Sequence, residues 1–296
     1  MLFSHALSLF AGIAAVLHIT SAAAGQFLEP EAELLYRIDG DAPGEQFGFV
    51  AERVADLNGD GASELIVGAP TSSAGAASGG RAQVFSGADG APLGGLSWEG
   101  ATAAGFLGAA VSDAGDVNGD GFSDLIAGAP GAPFGGSALP GTVFVWSGQD
   151  GSLLWSRDGE APGDHFGIDV DGVGADVDGD GSLDVLVGAE NHAGPAGTLA
   201  GRAYILSGRD GSTIRMFDSA ASRARFGNGV SGAGDVNGDG DPDVVIAARD
   251  AGARREGEAY VYNAVTGALV HTLVGGPSAQ SFGYFFAAGV GDVDGD

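Results

Sequence analysis

Asp116-Val117-Asn118-Gly119-Asp120-Gly121-Phe122-Ser123-Asp124 runs directly into Leu125-Ile126-Ala127 and then into Gly128-Ala129-Pro130. A tight acidic loop that feeds a short apolar stretch reads as a turn entering a β-strand. The same order recurs. Asp56-Leu57-Asn58-Gly59-Asp60-Gly61-Ala62-Ser63-Glu64 leads to Leu65-Ile66-Val67, Asp176 to Asp184 leads to Val185-Leu186-Val187, and Asp235 to Asp243 leads to Val244-Val245-Ile246. A fifth loop opens at Asp292, and successive openings lie 60, 60, 59 and 57 residues apart. An aromatic precedes each one, at Phe47, Phe106, Phe166, Phe226 and Phe282. Marks that coincide at one period define a structural repeat, and a period of this length decides the architecture.

Each unit continues with a second apolar stretch, such as Arg202-Ala203-Tyr204-Ile205-Leu206, then an Asp-Gly or Thr-Gly turn and a third stretch, such as Ser152-Leu153-Leu154-Trp155. No sustained 3.6-residue period appears beyond the first twenty or so residues. The pattern predicts an all-β chain with about four antiparallel strands per unit, which fits a propeller blade better than a solenoid coil. The units span about 36–95, 96–155, 156–215 and 216–273, with an incomplete fifth at 274–296.

The loops carry the chemistry. Oxygen side chains at positions 1, 3 and 5 can converge on one hard cation, and Gly at position 6 permits the sharp turn. The candidate ligands are Asp56, Asn58, Asp60, the Ala62 carbonyl and Glu64; Asp116, Asn118, Asp120, the Phe122 carbonyl and Asp124; Asp176, Asp178, Asp180, the Ser182 carbonyl and Asp184; and Asp235, Asn237, Asp239, the Asp241 carbonyl and Asp243. Asp292, Asp294 and Asp296 begin a fifth set. An all-oxygen sphere of this size suits Ca²⁺, about one ion per complete repeat. An EF-hand is excluded, because its twelfth position needs Glu and here holds Val67, Ala127, Val187 and Ile246. A single loop of this kind is as readily an Asx turn, but four complete copies with an acid at position 9 favour the metal.

Phe-Gly, the acidic loop and Gly-Ala-Pro together resemble the FG-GAP repeat of the integrin α-subunit N-terminal propeller family, over about residues 36–296. The resemblance implies a β-propeller of four-stranded blades, part of a seven-bladed ring, with structural calcium and a role in extracellular binding or adhesion. Gly-Ala-Pro becomes Gly188-Ala189-Glu190 in the third unit and Ala247-Ala248-Arg249 in the fourth.

Composition narrows the partners. The formal charge is −27, and all twelve basic residues are Arg, a field that disfavours nucleic acid and anionic lipid. There is no Cys, so disulfides and thiol chemistry are excluded and a metal can serve as the cross-link. Residues 1–24 read as a signal peptide, apolar from Ala6 to Ile19 with small residues up to Ala24, followed by an N-terminal segment at 25–35. The expectation is a secreted or cell-surface protein without a membrane-spanning segment. The stop at Asp296, inside a loop, suggests a fragment, since repeat arrays need capping or closure.

Nothing resembles an active site. His5, His18, His165, His192 and His271 fall at non-equivalent places, and His165 reads as a solvated turn position. No G-x-S-x-G, H-E-x-x-H or phosphate loop is present. Trp98, Trp146 and Trp155 read as blade-to-blade contacts. The sequence thus points to a non-enzymatic module for an extracellular protein ligand. The alternatives are a glycan-binding propeller, which needs exposed Trp or Tyr at the rim, and a non-catalytic arm of a larger secreted enzyme.

Overall fold

A computed structural model describes residues 35–131, 139–276 and 282–283. Its sixteen strands form four separate four-stranded sheets, each an antiparallel meander in chain order. The first sheet holds β1 (Ala51–Val54), β2 (Glu64–Gly68), β3 (Arg81–Phe85) and β4 (Pro92–Glu99). The second holds β5 (Ala110–Gly115), β6 (Asp124–Ala129), β7 (Thr142–Trp146) and β8 (Leu153–Asp158), and the third holds β9 (Phe166–Gly172), β10 (Val185–Ala189), β11 (Arg202–Leu206) and β12 (Thr213–Asp218). The fourth holds β13 (Phe226–Gly234), β14 (Asp243–Ala248), β15 (Glu258–Asn263) and β16 (Leu269–Val274). Each sheet corresponds to one repeat and has the four-stranded antiparallel form expected of a propeller blade. Among the described residues no helix is long and apolar enough to cross a membrane.

The second strand of each blade is apolar without alternation because both of its faces are covered. Ile126 packs with Val170, Val185 and Val187 of the third blade, whereas its neighbours Leu125 and Ala127 pack with Ile66 and Val84 of the first. Leu186 faces Ile246 of the fourth blade, while Val185 and Val187 face the second. Period-two alternation therefore persists, but it sorts residues between two cores instead of between core and water. Each fully buried Leu, Ile or Val contributes about 1.5–3 kcal/mol, so the blades hold one another together.

The motif glycines sit where neighbouring blades touch through backbone. A Cβ built on Gly68 would lie 2.0 Å from the Gly108 carbonyl oxygen, one on Gly128 1.9 Å from that of Gly167, and one on Gly188 1.9 Å from that of Gly227. The Gly of Phe-Gly and the Gly of Gly-Ala-Pro are thus two halves of one inter-blade contact. The second repeat departs from the expected register here. Leu107 is buried and bridges to Gly80 as Phe226 bridges to Gly201, so Leu107-Gly108 stands in the Phe-Gly place. Phe106 instead takes the left-handed position (φ 59°) that Gln46, His165 and Arg225 fill in the other blades.

The tryptophans act as inter-blade rivets. Trp98 stacks on Trp146 at 4.5 Å between centroids and donates Nε1–H to the Gly151 carbonyl. Trp155 donates to the Gly208 carbonyl at 2.6 Å. All three are buried or half-buried at blade junctions, so the exposed rim tryptophans that a glycan-binding propeller needs are not supplied by them.

Candidate metal centre

The four complete loops share one geometry. The carboxylate at position 1 is wrapped by loop amides: Asp56 accepts from Gly59 and Gly61 at 2.7 and 2.8 Å, and Asp176 from Gly179 and Gly181 at 2.7 and 2.9 Å. Asp116 and Asp235 are held in the same way by Gly119 and Gly121, and by Gly238 and Gly240. This wrapping requires left-handed backbone at position 6, where Gly61, Gly121, Gly181 and Gly240 have φ between 87° and 93°, a region in which a side chain is strained. Amide donation holds the Asp56 and Asp176 carboxyls below the ordinary range, Gly61 and Gly181 contributing most.

Position 5 anchors the next turn, with Asp60, Asp120, Asp180 and Asp239 accepting from the amides of Ala62, Phe122, Ser182 and Asp241. At position 3, Asn58, Asn118 and Asn237 each donate to the position-5 carboxylate at 2.9–3.0 Å. Asp178 cannot donate. In its loop, carboxylate oxygens of Asp176, Asp178 and Asp184 lie within 4.8 Å of one another.

Position 9 is the first residue of the second strand or lies just before it, and it is carried into the interior. Glu64, Asp124, Asp184 and Asp243 are all fully buried. Asp124 accepts from Val117 and Gly148, and Asp184 from Val177 and Gly208. Neither oxygen of Glu64 has a hydrogen-bond partner, nor does Oδ1 of Asp243. Burial pushes Asp124 and Asp184 up to about 6. Glu64 and Asp243 are raised as well, by burial first and then by the position-5 and position-1 carboxylates.

Such orphaned acids are costly unless a cation compensates them. Buried carboxylates aligned with an anionic, backbone-wrapped loop fit a hard divalent ion and no thiol- or imidazole-based metal. Asp292, Asp294 and Asp296 lie outside the described residues, as does the expected signal segment at 1–24.

One polar cluster escaped the sequence reading. His165 is buried, not solvated: Nδ1 lies 3.4 Å from Glu190 Oε1, and the Asn191 side-chain amide approaches both ring nitrogens. His192 Nδ1 lies 2.8 Å from Asp164. Glu190 also meets Arg225 and Arg249 of the next blade, the latter at 2.8 Å. The signal lay in Glu190 and Arg249 replacing the same proline in successive repeats.

The FG-GAP repeat model matches residues 51–85, 109–146 and 226–262. Over 170 residues the chain is 31% identical to integrin alpha-4 of Xenopus laevis, covering 54% of this chain and 16% of that protein. It is 32% identical over 203 residues to integrin alpha-V of Gallus gallus, covering 64% and 19%. It is also 29% identical over 163 residues to integrin alpha-PS2 of Drosophila melanogaster, covering 48% and 12%. The chain therefore spans less than a fifth of the length of these relatives. Matched repeats and blade geometry agree: the chain carries FG-GAP repeats and is similar in sequence to part of the integrin alpha subunits.

Proposed function

We propose that this chain is a secreted or cell-surface calcium-binding propeller module that presents rim loops to an extracellular protein ligand, with Ca²⁺ in a structural role. The observation that carries the metal reading is the set of four fully buried position-9 acids beside position-1 carboxylates that are exposed or only half-buried. The adhesion-type role rests on the likeness to integrin alpha subunits. No catalytic step is assigned, because the loops supply their own ligands and leave little open coordination for substrate.

The test is a thermal melt of the protein with millimolar Ca²⁺, with Mg²⁺ and with chelator. Ca²⁺ is expected to raise the melting temperature strongly and Mg²⁺ weakly, because Mg²⁺ resists losing its water. A cooperative melt indifferent to metal would reduce the loops to Asx turns and end the calcium reading.

A further inference from the structure

Five of the chain's twelve arginines fall in two short segments, 219–225 and 249–257, where they face only two acids, Asp250 and Glu256. The formal charge of the whole chain is −27, so this is a local reversal of sign. The earlier repeats have no counterpart. In the place of 219–225 stand segments 40–46, with Asp41 and Glu45, 100–106, without charge, and 159–165, with Glu160 and Asp164. In the place of 249–257 stand 70–80, 130–141 and 190–201, which hold no Arg.

The two segments form one surface. They are the β12–β13 and β14–β15 connections, and Asp250 N donates to the Ala224 carbonyl at 3.1 Å. In an antiparallel meander both lie at the end of the fourth blade opposite its acidic loop. A six-residue strand such as β14 spans about 20 Å. That exceeds twice the Debye length of about 8 Å at physiological ionic strength, so the acidic loop does not cancel the patch at contact range. Nearby acids are already engaged. Arg225 and Arg249 pair with the buried Glu190, Arg225 approaches Asp250 at 3.9 Å, and Glu256 accepts from the Arg254 amide at 2.7 Å. Arg223, Arg254 and Arg255 are exposed, and among the described residues none of them forms an ion pair.

Two of these arginines stand on backbone that disfavours them. Arg223 has φ 59° and Arg255 φ 58°, in the left-handed region that strains any side chain. At the place of Arg223 the first and third blades have Gly44 and Gly163, each at φ 83°, and the second has Ala104. Arg223 N donates to the Thr198 carbonyl at 3.1 Å, a bond that glycine would make equally well. The fold asks for a small residue here, and no partner within the described residues accounts for the arginine. Strain kept beside unpaired charge on connecting loops is a mark of a binding surface.

We propose that Arg223, Arg254 and Arg255 form a docking surface for a short acidic peptide segment of a protein partner. The inference rests on the extracellular-ligand reading for the class of partner and adds its chemistry. A guanidinium offers paired donors in a plane, which match a carboxylate at two points. The patch is also confined: one blade earlier the same connection carries Glu160 and Asp164, and the far end of the fourth blade carries Asp235, Asp239 and Asp243. A long sulfated chain would run off the patch onto anionic surface, whereas a segment with a few carboxylates would not. Charge complementarity over so small an area therefore favours the acidic peptide.

The probe is a rhodamine-labelled hexaglutamate peptide, with hexaglutamine as its neutral twin, followed by fluorescence anisotropy on the folded protein in millimolar Ca²⁺ at low salt. Hexaglutamate should bind with an affinity that falls as salt rises, and hexaglutamine should not bind. Arg223→Gly should weaken binding about two- to fivefold, the range of one exposed ion pair. It should do so without lowering the melting temperature, because glycine relieves the left-handed turn. Arg223→Gly combined with Arg254→Ser and Arg255→Gly should weaken binding at least about tenfold. Arg209→Gln, which removes an exposed arginine from the β11–β12 turn, should leave it unchanged. Equal affinity in the wild type and the triple variant, or no binding of hexaglutamate, would overturn the docking surface. A sulfated hexasaccharide that binds these arginines more tightly than hexaglutamate would overturn the peptide partner in favour of a glycan. Each of these failures leaves the Ca²⁺-dependent melt as it was, which separates them from failure of the calcium-module reading.

Discussion

Asp184→Asn separates the metal role of a position-9 acid from its role in the fold. Asp184 is fully buried and accepts from Val177 N at 2.6 Å and Gly208 N at 3.1 Å. Asparagine keeps one acceptor and sets an N–H against the other donor, a loss of about 1–3 kcal/mol with chelator present. That loss is common to both metal conditions and cancels when each variant's melt with Ca²⁺ is compared with its own melt in chelator. What remains is the contribution of the ion. A site held at 100 times its dissociation constant stabilises by about 2.7 kcal/mol, reached near 10 mM Ca²⁺ if affinity resembles that of extracellular modules at about 10⁻⁴ M. At about 2–4 °C per kcal/mol for a domain of this size, the calcium increment should shrink by about 5–11 °C. Asp176→Asn in the same loop should remove the same increment, and the double variant should lose no more, because both residues serve one ion. Differential scanning calorimetry reads all four proteins. An Asp184→Asn protein that keeps the whole wild-type increment would refute the assignment of Asp184 as a ligand.

Three further outcomes follow from other parts of the fold. Asp169 is buried on the innermost strand of the third blade, accepts from Val230 N at 2.8 Å, and lies near Asp171 and Glu52; burial pushes it well above the ordinary carboxylate range. Because its folded value exceeds the unfolded one, its protonated form favours folding at acid pH and ionisation costs stability as pH rises; Asp169→Asn should melt higher than wild type at pH 8, with the gap closing toward pH 4, and equal pH slopes would argue against it. Trp155→Phe keeps most of the ring but strips the donor from Gly208 and should cost about 1–3 kcal/mol in chemical denaturation, while Trp155→Ala should cost about 3–5 kcal/mol. Gly128→Ala would drive a methyl to 1.9 Å from the Gly167 carbonyl, where neither backbone can yield cheaply, so soluble folded protein should fall sharply while Gly119→Ala in an open loop position does not show that steric effect.

Much of this architecture was readable because a repeat multiplies weak signals. One acidic turn is ambiguous, but four at a fixed period, each leading into an apolar run, define strand and turn positions together and mark the same candidate ligand positions in each loop. Period-two alternation was hidden inside those runs, since Leu125 and Ile126 are equally apolar and differ only in which neighbouring blade they face. Leu107 was misplaced for a related reason: the aromatic mark of the other repeats drew the register to Phe106, whereas backbone geometry assigns the inter-blade position by the glycine that follows it. His165 looked solvated because local sequence gives a turn, and its burial comes from Glu190 and Asn191, 25 and 26 residues away.

Loss of Gly-Ala-Pro in the third and fourth repeats is best understood as one coupled exchange. Pro70 and Pro130 end their strands with a fixed φ and no donor, which suits a backbone turning away at a crowded junction. Glu190 and Arg249 occupy the same position in successive blades, and their side chains meet at 2.8 Å across the junction. Arg225, which takes the left-handed position before Phe226, reaches the other oxygen of Glu190 at 3.4 Å. The rigidity lost with proline is thus replaced by a buried acid flanked by two arginines from the next blade. Such a pair is worth little unless intact, because removing one partner strands a buried charge. At this junction the two departures compensate each other, the acid of the third unit being paired by the arginine of the fourth.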